Sequence, residues 1–168
     1  KLRIGDPLDP ATEIGPMVDV AAVERTRRWV DEARSSGGKV LLGGTSDGAF
    51  FAPTILTDVP ASAAVCREEA FAPLVVAAPF RDFADAVSRV NDSRFGLQAG
   101  VFTNDLAHAW SAFEELEVGG VIVNDVPTYR IDHMPYGGTK DSGLGREGVR
   151  YAIGDMTEIR IMVIAQPE

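Results

Sequence analysis

Glu68 and Glu69 stand side by side just ahead of Ala70-Phe71-Ala72-Pro73. A carboxylate pair can work as general acid and base, or accept hydrogen bonds from a sugar diol. Two adjacent carboxylates can equally be solvated charges at a turn, and this segment alone leaves both readings open. Cys66 is the only thiol in the chain. A nucleophilic cysteine needs a base or a helix N-terminus that lowers its pKa. Arg67 is adjacent, but His108 and His133 are distant in sequence. The residue therefore reads as a small packing residue rather than a nucleophile. Gly143-Leu144-Gly145-Arg146-Glu147-Gly148 matches the dinucleotide fingerprint G-x-G-x-x-G by its letters. That fingerprint requires a strand directly before it, a crossover helix after it and an acid about 20 residues on. Here a loop precedes it and no second strand–helix unit follows, so its glycines read as bends that allow close packing. His108 reads as a surface residue. No cluster of His, Cys and carboxylates has metal-ligand spacing, and no metal is expected.

The elements that must position these residues belong to one compact domain of 168 residues, 45% hydrophobic and 24% charged, the profile of a globular protein. A net charge of −9 argues against nucleic acid, which is held by clustered Lys and Arg. No apolar run is long enough for a membrane span. A single cysteine excludes an internal disulfide framework and fits a reducing, cytoplasmic setting. The chain opens at Lys1 without a signal-like segment, and its first residues read as a cut end.

Turn chemistry in Gly5-Asp6-Pro7-Leu8-Asp9-Pro10 precedes a helix capped by Asp19, with an apolar stripe at Val23, Thr26, Trp29/Val30 and Ala33. Gly37-Gly38 ends it. Val40-Leu41-Leu42 reads as a strand, and Phe51 to Leu56 as an extended piece with Pro53 at an edge or irregularity. Leu74 to Ala78, Ala99 to Phe102 and Val121 to Val123 are apolar on both faces. They alternate with two amphipathic helices. One aligns Phe83, Ala86, Val87 and Val90; the other aligns Leu106, Ala109, Trp110, Phe113 and Leu116. This pattern predicts an α/β fold with a mostly parallel sheet flanked by helices. Residues 125–148 form a long loop after a strand, where α/β proteins place their sites. A helical turn near Val149 to Ile153 leads to a predicted last strand, Ile159 to Ile164, apolar on both faces and in need of cover.

Several strings resemble the aldehyde dehydrogenase superfamily, in order from end to end. They are Gly5-Asp6-Pro7 with Ile14-Gly15-Pro16, Phe51-Ala52-Pro53-Thr54-Ile55-Leu56 and Glu68-Glu69-Ala70-Phe71-Ala72-Pro73. Asn91-Asp92-Ser93-Arg94-Phe95-Gly96-Leu97, Val101-Phe102-Thr103 and Val121-Ile122-Val123-Asn124 follow. Pro135-Tyr136-Gly137-Gly138, Lys140-Asp141-Ser142-Gly143 and Gly145-Arg146-Glu147-Gly148 complete the set. Ala72 stands where the family usually has Gly, and the loop from Asp125 to Met134 is about a residue longer than the common form.

The resemblance implies an enzyme fragment that serves the NAD- or NADP-dependent oxidation of an aldehyde to a carboxylic acid. The cysteine nucleophile, the glutamate base, the oxyanion asparagine and the Rossmann domain would lie upstream of Lys1, so no catalytic residue is assigned here and the chain alone should be inactive. Glu69 matches the acid that holds the nicotinamide ribose, and Phe71 the aromatic packed near the nicotinamide. Tyr136 matches an aromatic of the substrate tunnel, whose entrance segment includes Tyr129, Arg130 and His133. Arg130 could hold an acidic group at the far end of the aldehyde, or pair with Asp125 or Asp132 and brace the loop. The implied division is residues 1–155 as the C-terminal part of the catalytic domain and 156–168 as a strand that assembles a homo-oligomer. A non-catalytic assembly or scaffold protein that keeps the fold is the alternative.

Overall fold

The computed structural model describes residues 2–166. The chain forms two compact units, one up to Pro79 and one from Phe80 onward.

In the first unit, α1 (Val20–Ser35) starts where the Asp19 carboxylate accepts a hydrogen bond from the Ala22 N–H at 2.6 Å. That satisfies one of the donors a helix start leaves unpaired. Ala22, Val23, Thr26, Val30 and Ala33 form the buried stripe, as the spacing predicts. Thr26 is polar but fully buried, and its hydroxyl donates to the Ala22 carbonyl at 2.9 Å. The stripe covers a three-stranded sheet ordered β1 (Lys39–Leu42), β4 (Thr54–Thr57), β5 (Leu74–Ala77). β1 runs antiparallel to β4, and β5 runs parallel to it. A short antiparallel pair, β2 (Ser46–Asp47) and β3 (Phe50–Phe51), lies between β1 and β4 in the chain. Pro53 separates β3 from β4, so the single extended piece expected there is broken in two. Phe51 and Leu56 are fully buried in the core of this unit.

The second unit is built differently. α3 (Phe83–Asn91) is capped by Asp82, which accepts from the Asp85 N–H at 2.9 Å. The Asp85 carboxylate in turn accepts from the Arg81 N–H at 3.1 Å and from its guanidinium at 3.0 Å, and these bonds hold its pKa below the ordinary carboxylate value. β7 (Gln98–Val101) pairs parallel with β8 (Gly120–Val123) across α4 (Leu106–Glu115). The core is small: Val87, Ala112 and Leu116 are buried, with Phe83, Ala99, Val101 and Val121 packed against them.

The expected α/β fold is present, with parallel ladders at β4–β5 and β7–β8 beside antiparallel ones at β1–β4 and β2–β3. Two further expectations need correction. First, the stripe expected on α4 is mostly outward. Of its residues Leu116 is buried, while Leu106, Trp110 and Phe113 are 72%, 58% and 66% exposed, and Ala112, outside the expected stripe, packs in the core. A helix apolar around much of its circumference does not reveal by spacing which stripe is the inner one. Second, Ile159 to Ile164 pairs with no strand among the described residues. Residues 157–166 are exposed beyond α5 (Val149–Met156), because a strand without a partner edge has no ladder to form.

Leu56 lies in the central strand of the first unit's sheet. Leu56→Ala should remove about 2–4 kcal/mol from that unit's stability, the usual cost of a large-to-small change in a packed core. Urea unfolding followed by Trp29 fluorescence measures it; a loss under half of that range would mean the site relaxes around the cavity.

Candidate functional site

In the first unit, the single-turn helix α2 (Ala64–Arg67) delivers the chain to Glu68 and Glu69. Glu69 is exposed and takes part in no hydrogen bond or ion pair among the described residues, so its carboxylate is open to an outside donor. Phe71 follows with a positive φ of 44°, uncommon for an aromatic residue, and with 80% of its surface exposed. The Arg25 guanidinium reaches the Ala70 carbonyl at 3.4 Å and braces the segment against α1. A groove of about 510 Å³ runs beside it, bordered by Ile14, Pro16, Val18, Phe71 and Pro73. A free carboxylate, an exposed ring and an adjacent apolar groove suit a ligand that carries both hydroxyl groups and a flat face.

In the second unit, the segment after β8 turns at Asn124, whose φ is +60°. The Asn124 amide oxygen accepts from the Thr103 N–H at 2.9 Å, tying together the ends of the two parallel strands. The loop it enters is more structured than its composition suggests. β9 (Thr139–Lys140) pairs antiparallel with β6 (Phe95–Gly96), a ladder that the polar sequence of the loop does not announce. Lys140 has a φ of +54°, and its ammonium donates to the carbonyls of Asn91 at 2.8 Å and Ser93 at 3.1 Å while pairing with Glu117 at 2.7 Å. Gly119 meets the loop so closely that a Cβ there would overlap the Gly137 carbonyl oxygen.

Arg130, Tyr136 and Glu147 are brought together by this frame. The backbones of Tyr136 and Glu147 exchange both hydrogen bonds, at 3.2 and 2.6 Å. The Arg130 guanidinium lies over the Tyr136 ring at 4.8 Å and pairs with the Glu147 carboxylate at 2.9 Å. Its partner is thus neither Asp125 nor Asp132. Sequence spacing favours near neighbours, whereas the strand-like bridge at Tyr136 returns a residue of the glycine string to Arg130. Tyr129 is half-exposed, and its carbonyl accepts from the Gln98 side chain at 3.1 Å. His133 is exposed on the same loop. A groove of about 380 Å³ borders Tyr136, Ser142, Arg146, Glu147 and Asp155. Glu147 is the residue that inspection of the sequence passes over, because it sits inside the fingerprint-like string. Its signal was the opposite charge on Arg130 in the same loop.

The sequence model of the aldehyde dehydrogenase family matches residues 1–162. The chain belongs to the aldehyde dehydrogenase family. It is 54% identical over 164 residues to the 3-sulfolactaldehyde dehydrogenase of Priestia aryabhattai, covering 98% of this chain and 34% of that protein. Aldehyde dehydrogenase 21 of Physcomitrella patens, solved with the reaction product succinate, superposes with a TM-score of 0.91 at 49% identity. That match covers 94% of this chain and 33% of the other. Glyceraldehyde-3-phosphate dehydrogenase GapN of Methanocaldococcus jannaschii, solved with NADP, gives a TM-score of 0.92 at 41% identity, covering 98% and 36%. The chain therefore spans about a third of the length of the relatives it matches.

Cys66 sits in α2 and is exposed as a residue, yet desolvation of its thiol raises the pKa, and the Arg67 charge offsets only part of the rise. A thiol held protonated at neutral pH is a poor nucleophile. Alkylation of this chain by iodoacetamide should keep accelerating as pH climbs through the ordinary thiol range of about 8–9. A rate already at its plateau near pH 7 would mark Cys66 as an activated thiol instead.

Proposed function

We propose that this chain is the C-terminal part of the catalytic domain of an NAD(P)-dependent aldehyde dehydrogenase, and that its substrate is a short aldehyde with an acidic group at the far end. Overall, such an enzyme consumes an aldehyde, water and the oxidised cofactor, and releases a carboxylic acid, the reduced cofactor and a proton. The nicotinamide, when bound, supplies the hydride acceptor. The nucleophilic cysteine and its base belong to the remainder of the longer protein, so this chain alone gives no turnover. Residues 156–168 contribute the contact of a homo-oligomer, in which a neighbouring edge covers the exposed side chains of Ile159, Ile161, Val163 and Ile164; residues 167 and 168 lie outside the described residues.

In this reading Glu69 accepts hydrogen bonds from the ribose hydroxyls, and Phe71 packs against the flat part of the cofactor. The free Glu69 carboxylate and the exposed Phe71 ring support that assignment. Tyr136 walls the substrate passage, with Tyr129 and His133 at its entrance. Arg130 holds the acidic tail by charge-assisted hydrogen bonds and so fixes the distance of the aldehyde carbon from the reacting groups. The observation that carries the substrate class is the Arg130 guanidinium, held 4.8 Å over the Tyr136 ring on the loop behind β8. The names of the similar proteins, with a sulfonate, a succinate product and a phosphate, point the same way.

Two variants of the full-length enzyme test the two halves of the proposal. Glu69→Ala should slow hydride transfer more than it weakens cofactor binding, because a ribose held loosely misplaces the reacting ring. Single-turnover absorbance reads this directly, and an unchanged hydride rate would remove Glu69 from the site. Arg130→Ala should cost kcat/KM about 2–3 kcal/mol with acid-tailed aldehydes and little with neutral ones. Equal losses for both substrate types would leave Arg130 as a brace of the loop and end the acidic-tail reading.

A further inference from the structure

We infer that Gln98 is a positioning residue for the substrate tail: its side-chain amide fixes how far the loop after β8 reaches back over the sheet, and so where Arg130 meets that tail. This rests on the acidic-tail reading above. Along β7 the side chains alternate between two faces. Ala99 and Val101 pack against the buried residues of the second unit, which leaves Gln98 and Gly100 on the opposite face. The loop lies on that face. Its start is held by the Asn124 amide oxygen, which accepts from the Thr103 N–H at 2.9 Å. It then crosses Gly100, where a Cβ would stand 2.6 Å from the Asp125 carbonyl oxygen and 3.2 Å from Pro127 Cδ. Finally it reaches Gln98, whose Nε2 donates to the Tyr129 carbonyl at 3.1 Å. Rising residue numbers in the loop meet falling ones on β7, so the loop retraces the strand from its exit toward its start.

Two details make this bond more than a surface contact. Gly120 is the register partner of Gln98 on β8, and a Cβ there would stand 3.2 Å from Nε2 and 3.4 Å from Cγ of Gln98. The side chain therefore lies against bare backbone, with room that any larger residue at Gly120 would take. The Tyr129 carbonyl, in turn, belongs to the peptide plane that joins Tyr129 to Arg130. Holding its oxygen sets the direction in which the chain enters Arg130, while the guanidinium at the far end is seated over the Tyr136 ring at 4.8 Å. A backbone anchor and a side-chain seat together give Arg130 one reach. A tail that is a methylene too long or too short then holds the aldehyde carbon away from the reacting groups.

The experiment uses the full-length enzyme with a homologous series of aldehydes that end in a carboxylate and differ by single methylenes, beside neutral aldehydes of matching length. Gln98→Met keeps the bulk beside Gly120 and removes the donor. It should lower kcat/KM about tenfold for the best acid-tailed aldehyde and flatten the preference for one tail length, while neutral aldehydes change by less than about twofold. Adding Gln98→Met to Arg130→Ala should cause no further loss with acid-tailed aldehydes, because Gln98 acts through Arg130. Gln98→Leu, a second donor-free side chain, should give the same pattern and replaces Gln98→Met if that variant does not fold. Equal losses with acid-tailed and neutral aldehydes, full additivity with Arg130→Ala, or an unchanged tail-length preference would each overturn the inference. If Arg130→Ala selectively impairs acid-tailed aldehydes while Gln98→Met and Gln98→Leu do not, only the role of Gln98 fails. If Arg130→Ala itself impairs both kinds of aldehyde equally, the acidic-tail reading fails and this inference falls with it.

Discussion

The backbone bridge between Tyr136 and Glu147 is the contact on which the second unit's long loop depends. Without it, the residues between Asn124 and Gly148 would be a polar loop with many unpaired backbone groups, and its side chains would have no fixed directions. With it, the loop is folded back on itself and its remaining polar groups find partners along the closure. The Arg146 guanidinium fills the fold with hydrogen bonds to Gly138 and Gly145, and Ser142 accepts from the Gly96 N–H at 2.9 Å. Thr139 donates to the Glu117 carbonyl at 2.8 Å, linking the loop to the chain just after α4. Loops that carry chemistry need this kind of support from a scaffold. Here the scaffold is largely hydrogen bonding, because little apolar surface is buried beneath the loop.

The two units divide their labour along that line. The first has a continuous core in which α1 covers β1, β4 and β5, and its fully buried side chains include Phe51, Leu56 and Val30. The second buries fewer residues and leaves one face of α4 in solvent, with Trp110 and Phe113 meeting edge to face at 6.1 Å. A unit with few buried apolar contacts opens locally at lower cost. Its order therefore rests more on specific polar partners: Asn124 across the ends of β7 and β8, Asn91 accepting from the Glu117 N–H at 2.9 Å, and Lys140 on the Asn91 carbonyl at the end of α3. Asn124 stands at the exit of β8, whereas Asn91 and Lys140 hold Glu117 on the side from which the chain enters it.

Elements whose identity follows from local chemistry were readable in the sequence. Asp19 before an apolar stripe specifies where α1 begins, and the Leu74 and Val121 runs specify strands, since both signals act within a few residues. What could not be read depends on which surface finds a partner. Trp110 and Ala112 sit on the same helix, and nothing in their spacing says that Ala112 is the one that packs. Nor does spacing show that Lys39 to Leu42 pairs antiparallel while Leu74 to Ala77 pairs parallel with the same strand. At the candidate site, the resemblance picked out Glu69, Phe71, Tyr136 and Arg130. The ion pair between Arg130 and Glu147 was missed because it closes across the loop.

The glycine string that contains Glu147 shows why letters need their surroundings. Gly143, Gly145 and Gly148 have φ values of 134°, 69° and 108°, so each adopts a conformation that side chains resist. A phosphate cradle would use such glycines to aim N–H groups outward at the mouth of a strand–helix turn. Here the neighbouring groups point inward instead. The Gly145 carbonyl accepts from Arg146, a Cβ on Gly148 would press on the Met134 carbonyl oxygen, and the Glu147 N–H is taken by Tyr136. The string has spent its donors and its space on closing the loop. Its permissive backbone angles serve to swing Glu147 across to Arg130, with which it pairs at 2.9 Å.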